Sequence, residues 1–208
     1  AEADKANLVN SRMQAYQAGD VRFIDQNNDG RIDIKDRISL GSAAPDYFGG
    51  FYTNFRYRHF ALSAEFAYSK GNKAYNAVRR TLESASSFSN QSVAVSNRWS
   101  VEGQVTDMPR ATFGDAIGNN NFSSRWIEDA SYLRIKNITL SYNFDKPIWN
   151  FFRSGTIYVT GENLLTATKY LGLDPEFAYS SSDNATQGFD YAKVMQPKSV
   201  KLGINLKF

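Results

Sequence analysis

At 208 residues the chain is long enough for one domain and part of a second, and 24 basic against 21 acidic residues leave a net charge of only +3. Basic residues that are nearly balanced by acidic ones and not clustered exclude a nucleic-acid footprint, despite an isoelectric point near 9.0. The absence of cysteine excludes disulfide frameworks, thiolate metal sites and cysteine nucleophiles, and a single histidine, His59, leaves little room for histidine-based catalysis.

No apolar run is long enough for a transmembrane helix, and the first ten residues lack the basic and apolar regions expected of a signal peptide. A mean hydropathy of −0.47 suits a soluble protein. It equally suits a transmembrane barrel, whose strands alternate lipid-facing and lumen-facing residues and so average out as polar. Residues 1–18, rich in Ala, Lys, Glu, Leu and Met ahead of Gly19, predict a short helix with a glycine stop.

Residues 25–36 read DQNNDGRIDIKD and form the one chemical motif of the chain. Within the polar loop 20–37, Asp25, Asn27, Asp29, Asp33 and Asp36 fall at the odd and terminal positions of a twelve-residue calcium loop. Gly30 permits the sharp turn, Arg31 offers its backbone carbonyl, and Ile32 tucks inward. Six matching positions predict Ca²⁺. Asp36, standing where a longer Glu is usual, weakens the site or admits Mg²⁺. The bland alternative is an acidic Asn/Gly turn.

Strict alternation follows. Phe51, Thr53, Phe55 and Tyr57, then Phe60, Leu62, Ala64, Phe66 and Tyr68, flank the two-residue link Arg58-His59 and predict a β-hairpin. From Gly71 to Asp129 the pattern dissolves into a long loop, with a short helix from Ala74 to Glu83. A serine-rich stretch and the triplet Asn119–Asn121 read as flexible. Alternation returns at Ile138, Leu140, Tyr142 and Phe144. Leu133 and Ile135 have the opposite parity, so either a bulge sits near Lys136 or that part has left the buried zone.

A turn over 145–155 carries Pro147, Trp149, Phe151 and Phe152, and a strand through Ile157 and Val159 leads into a second long loop at 166–198. The last strand alternates from Val200 to Phe208, about the length that crosses a bilayer when tilted. Five strands joined alternately by short and long connections match an up-and-down outer-membrane barrel. A soluble antiparallel sandwich or lipocalin-like barrel would alternate in the same way.

Four blocks carry a resemblance beyond pattern: GDVRFIDQNNDGRIDIKDRISLGSAAPDYFGGFYTNFRYRHFALSAEF, SSRWIEDASYLRIKNITLSYNF, TIYVTGENLLTATKYLGLDPE and SVKLGINLKF. In this order they resemble the late portion of SusC/RagA-like TonB-dependent outer-membrane transporters, over most of Gly19 to Phe208. The resemblance implies an all-β fold: residues 1–208 as part of one antiparallel transmembrane β-barrel with long extracellular loops. It implies an importer of glycan fragments or peptides in the outer membrane of a Gram-negative bacterium. TonB would power it through regions absent here, and a SusD-like surface lipoprotein would cap it. Arg58-His59 and 145–155 would then be periplasmic turns, with Trp149, Phe151 and Phe152 in an interfacial girdle. The metal loop, 71–129 and 166–198 would be extracellular.

Five strands cannot close a barrel, so the chain is expected to be a portion of a longer polypeptide or to pair with other chains. Trp99, Trp126, Tyr170 and Tyr179 are candidate loop contacts for substrate or lid, by stacking on sugar rings, although each reads more readily as packing. The alternative function is a soluble calcium-stabilised adhesin or glycan-binding module. An enzyme is rejected. Glu128 and Asp129 are adjacent and would point apart on a strand, Asp174/Glu176 is a pair any polar loop offers, and Ser181, Asp183 and His59 lack triad spacing.

Overall fold

A computed structural model of the chain describes residues 7–144, 153–177 and 186–207. Pro147, Trp149, Phe151, Phe152, Tyr179 and Phe208 lie outside the described residues. The strands in chain order are β1 (Val9–Asn10), β2 (Arg31–Ile32), β3 (Tyr47–Tyr57), β4 (Phe60–Lys70) and β5 (Lys73–Asn76). They continue with β6 (Ile127–Asp129), β7 (Tyr132–Phe144), β8 (Ser154–Thr168), β9 (Phe189–Asp190) and β10 (Ser199–Lys207). One α-helix, α1 (Ala77–Leu82), occurs among the described residues, with several single turns of 3₁₀ helix. The chain divides into two compact units, Ala1–Gly41 with Tyr75–Ile127, and Ser42–Ala74 with Glu128–Phe208.

The second unit is built on an antiparallel sheet of five strands in the order β10-β8-β7-β4-β3. The β3–β4 hairpin forms where alternation predicts it, around Arg58-His59. Arg58 adopts the left-handed φ of 52° that a two-residue hairpin needs at its first turn position. β7 carries the predicted irregularity: its register shifts against β4 between Glu65 and Phe66, and against β8 between Ile135 and Asn137. Lys136 is the extra residue opposite β4, and Asn163, at φ 51°, marks the compensating insertion in β8. Leu133 and Ile135 therefore stay on the same face as Ile138 and Leu140 despite their opposite parity. Among the described residues the sheet is open at β3 and β10, and no closed barrel forms.

The first unit corrects two sequence expectations. Residues 7–18 are not helical, because the buried Asn10 side chain accepts from the amides of Arg12 and Gln14 and folds the chain back on itself. Met13 takes φ 62°, incompatible with a continuing right-handed helix. Nor is the 71–129 segment a loose loop. Helix α1 is shorter than the predicted Ala74–Glu83, because residues 73–76 extend into β5 and Asn76 caps Arg79 N–H at 2.8 Å. Ala85, Val95 and Met108 form a small apolar core.

Asn119, expected to be flexible, is 1% exposed. Its side chain accepts from Val21 N–H and donates to Asp20. The Asp20 carboxylate, with no exposed side-chain surface, also receives the Arg110 guanidinium at 2.7 Å. The interior of this unit combines apolar side chains such as Val95, Met108, Ile117 and Trp126 with hydrogen-bonded polar ones such as Asn10 and Asn119.

Candidate functional site

The five-stranded sheet has two chemically opposite faces. On one, Phe55, Leu62, Leu140, Val159 and Leu202 stand in one register row across all five strands. The next row is Tyr57, Phe60, Tyr142, Ile157 and Ile204. Beyond the bulge the same face continues through Phe51, Phe66, Ile135 and Leu165. On the other face a row reads Asn54, Ser63, Thr139, Thr160 and Lys201, with the two threonine hydroxyls 2.8 Å apart. There the Tyr158 ring lies over its cross-strand partner Gly203, where any Cβ would collide with it.

The burial is inverted relative to a soluble sheet. Leu202 is 76% exposed, Phe55 65% and Leu140 47%, while Thr160 is buried. Five strands at ~4.8 Å spacing and eight residues at ~3.4 Å rise span a plane of roughly 600 Å². That already reaches the top of the range for the largest apolar patch on soluble monomers, before side-chain relief is added.

Above the bulge the polar face carries an ion cluster. Arg134, nearly fully buried, donates to Thr166 Oγ1 at 2.9 Å, to Glu176 at 2.9 Å and to the buried Asp174 carboxylate. Lys136 reaches Glu176 at 2.6 Å and Gln196 at 3.3 Å. Asp174 also accepts from the amides of Glu176 and Gln196. Burial pushes its carboxyl up, but hydrogen bonds from Arg134 and these amides, with the Arg134 charge, outweigh burial and hold it below the ordinary range. Two chain segments, around 174–176 and at 196, are thus fastened to the sheet. Sequence reasoning missed this cluster. Its signal was a basic pair at 134 and 136 and an acidic pair at 174 and 176, each spaced two apart and so facing one way.

The acidic loop folds around Gly30, whose φ of 79° meets the expected sharp turn. Asp25 accepts from the amides of Asp29 and Gly30, Asn27 from Asp29 and Asp29 from Arg31. Asp33 caps a 3₁₀ turn by accepting from Lys35. Asp36 ties the loop ends together, accepting from Gln26 at 2.9 Å and Asp33 at 2.7 Å; these backbone bonds hold its carboxyl below the ordinary range. Arg31 pairs its backbone with Val9 in a parallel β-bridge, and its guanidinium lies 2.8 Å from Met13 sulfur. Among the described residues no three His, Cys, Asp or Glu side chains converge as a group able to hold a metal ion. The donor set is all oxygen, the chemistry a hard cation requires, but each carboxylate is turned towards backbone amides.

Of the described stacking candidates, Trp99 stands at a cleft. It is half-buried and packs against Gly19, where a Cβ would lie 2.4 Å from the indole ring. Trp126 and Tyr170 are not exposed loop aromatics. Trp126 is 0% exposed, with the Arg125 and Arg79 guanidinium carbons 4.9 and 5.6 Å from its ring. Tyr170 is buried against Ala74, Ala130 and Phe177 and donates to Asp190 at 2.6 Å, so burial and that bond push its ionisation far up. Asp174 and Glu176 are locked in the ion cluster, while Glu128 accepts from Leu171 N–H.

No protein-family model matches the chain. A TonB-dependent receptor of Formosa agariphila is 32% identical over 195 residues, covering 91% of this chain and 20% of that receptor. The TonB-dependent receptor SusC of Bacteroides thetaiotaomicron is 28% identical over 193 residues, covering 89% of this chain and 17% of SusC. The structure of the RagAB peptide transporter superposes with a TM-score of 0.67 at 28% identity, over 83% of this chain and 19% of that one. The chain therefore spans about a fifth of the length of the curated relatives it matches. The order of blocks in the sequence, the two-faced antiparallel sheet and these similarities agree: over about nine-tenths of its length the chain is similar to a part of TonB-dependent receptors, SusC and RagAB among them.

Proposed function

We propose that this chain supplies wall strands and outward loops to an outer-membrane, TonB-dependent importer of glycan fragments or peptides. The observation that carries the reading is the inverted sheet. Its apolar face is continuous over five strands and exposed, and its opposite face is polar and hydrogen-bonded. Lipid is the solvent that such a face fits. The open edges β3 and β10 would be paired by further strands of the same barrel. A soluble adhesin or glycan-binding module would leave this face in water. Similarity to SusC and RagAB supports a SusD-like surface lipoprotein as partner, with uptake driven through TonB.

Single cysteines test the arrangement in intact cells making the full-length receptor. A cysteine at Val105, 98% exposed in the first unit, is expected to react with a membrane-impermeant maleimide, and one at His59 to be protected until the outer membrane is permeabilised. Equal labelling of both refutes it.

The acidic loop is proposed as a Ca²⁺ site, with Mg²⁺ as the weaker alternative, held by Asp25, Asn27, Asp29, Asp33, Asp36 and the Arg31 carbonyl. Carboxylate oxygens that accept one amide retain lone pairs for a cation. Bound there, the cation would stiffen residues 20–40 and do no chemistry. Calorimetric titration is expected to give calcium heat that Asp29→Asn diminishes, and no heat at millimolar Ca²⁺ sinks the assignment.

A further inference from the structure

We propose that the turn end of the five-stranded sheet docks the headgroups of anionic phospholipids, with Arg58 and Arg153 donating to their phosphates. Beyond the row of Phe55, Leu62, Leu140, Val159 and Leu202, towards Arg58-His59, the described residues of the sheet are 56–61, 141–144, 153–158 and 203–207. They include Arg56, Arg58, Arg153 and Lys207 and no acidic residue. In sequence the connecting residues 145–152 contribute Asp145 and Lys146, one charge of each sign. All four cations are exposed and form no ion pair among the described residues. Further up the sheet, by contrast, Arg134, Lys136 and Lys201 each face a carboxylate.

A second observation stands beside the charge. The row next to the turn is an aromatic collar on the apolar face, with Tyr57, Phe60 and Tyr142 all exposed and the Phe60 and Tyr142 rings 5.0 Å apart. The Arg58 guanidinium carbon lies 5.3 Å from the centre of the Tyr57 ring, so the cation rests on the collar itself. The backbone of the rim is fixed. The His59 carbonyl accepts from Asn143 N–H at 2.7 Å, and Arg153 N–H donates to the Lys207 carbonyl at 2.9 Å. Strand parity puts Arg56 and Lys207 on the polar face, where they add to the positive potential of the rim without touching lipid.

Apolar rows, then tyrosines, then unpaired arginines follow the order in which a bilayer changes from hydrocarbon to headgroup. An arginine that no carboxylate meets keeps its whole fork of donors, and that fork matches a phosphate. One phospholipid fits both parts, its acyl chains on the apolar rows and its phosphate on the rim. A small soluble anion would meet only exposed charges that water and salt screen. The inference rests on the importer reading for the lipid against the sheet and for the short turns lying at the periplasmic side. It therefore commits to phospholipid of the leaflet that faces the periplasm.

The test labels full-length receptor with bimane at His59→Cys, folds it into phosphatidylcholine vesicles and adds phosphatidylglycerol or phosphatidylcholine carrying a doxyl quencher near the headgroup. At low salt the preference for phosphatidylglycerol is expected to be roughly five- to twenty-five-fold, about fivefold for each arginine, and to fall with added salt. Arg58→Gln/Arg153→Gln is expected to lose it, and Arg58→Lys/Arg153→Lys to keep most of it. Both arginines are exposed and unpaired, so folding is expected to be unaffected. Equal quenching by the two lipids, or a preference that survives the glutamine variant, overturns the proposal. So does displacement of phosphatidylglycerol by millimolar glycerol phosphate, which would make the ligand a soluble phosphate. A second label, at Leu202→Cys, separates this proposal from the reading beneath it. Quenching at Leu202 without a headgroup preference at His59 sinks the rim and leaves the wall strands. A preference at His59 without quenching at Leu202 leaves the rim and sinks the wall strands.

Discussion

Leu140→Arg tests which solvent the apolar sheet face meets. Leu140 lies in β7, between the Ile138 and Tyr142 positions of the apolar face, with Leu62 and Val159 beside it on β4 and β8. The apolar positions of β7 run from Leu133 to Tyr142, nine residue steps or about 30 Å along the strand. Tilted by ~40°, that run rises roughly 23 Å, close to the ~25 Å apolar band of outer-membrane barrels. Leu140, two residues from the end of the run, falls inside the band, where an arginine is expected to destabilise by ~2–3 kcal/mol. In water the same substitution at a site 47% exposed would stay within about 0.5 kcal/mol.

Ser141→Arg is the internal control, one residue along on the polar face, with an expected effect below ~1 kcal/mol. The assay is reversible urea unfolding of full-length receptor folded into phospholipid vesicles, followed by tryptophan fluorescence. If Leu140→Arg destabilises no more than Ser141→Arg, the apolar face does not meet lipid.

Arg134→Met leaves the buried Asp174 without its cation and is expected to destabilise by about 3–5 kcal/mol at neutral pH, read as faster hydrogen exchange over 170–177. In the wild type the Asp174 carboxyl is held below its ordinary value, so its stabilisation is complete above pH ~4 and fades as pH falls through the lowered value. In Arg134→Met burial dominates, the sign reverses, and exchange is expected to slow on acidification. Arg110→Ala strands the fully buried Asp20 carboxylate and is expected to destabilise the first unit by a similar ~3–5 kcal/mol, with lost exchange protection at Val21. An unchanged protection pattern would mean that water replaces the guanidinium. Tyr170→Phe removes the bond to Asp190 and is expected to destabilise by about 1–3 kcal/mol in chemical denaturation, whereas a neutral outcome would place that carboxylate in solvent.

The sheet was legible because its information is local. Each strand alternates with period two, so Phe60 to Tyr68 announce their own face, and the parity slip between Ile135 and Ile138 offers a bulge as one of two readings, which the register shift against β4 selects. The two-residue link at Arg58-His59 then fixes the β3–β4 register by geometry alone. Residues 7–18 have helix-forming composition without helical periodicity, and one side chain, Asn10, offers the backbone better hydrogen bonds than a helix would.

The first unit was opaque for a different physical reason. Its cohesion comes from polar groups that meet across great sequence distances: Arg110 finds Asp20 at a separation of 90 residues, and Asn10 finds the Ile117 carbonyl at 107. Such contacts leave no period, because a buried asparagine is identical in sequence to a solvated one. The asparagines that looked mobile include side chains of the interior, with Asn119 buried and Asn120 bonded to the Ser84 carbonyl. The two faces of the sheet show the converse. If lipid takes the apolar side chains, as proposed, burial needs no long-range partner, and the pattern stays as regular as the pleat that carries it. Regular alternation over five strands thus speaks for membrane contact when it meets an exposed apolar face, whereas cohesion through distant polar pairs suits the segments that must fold in water.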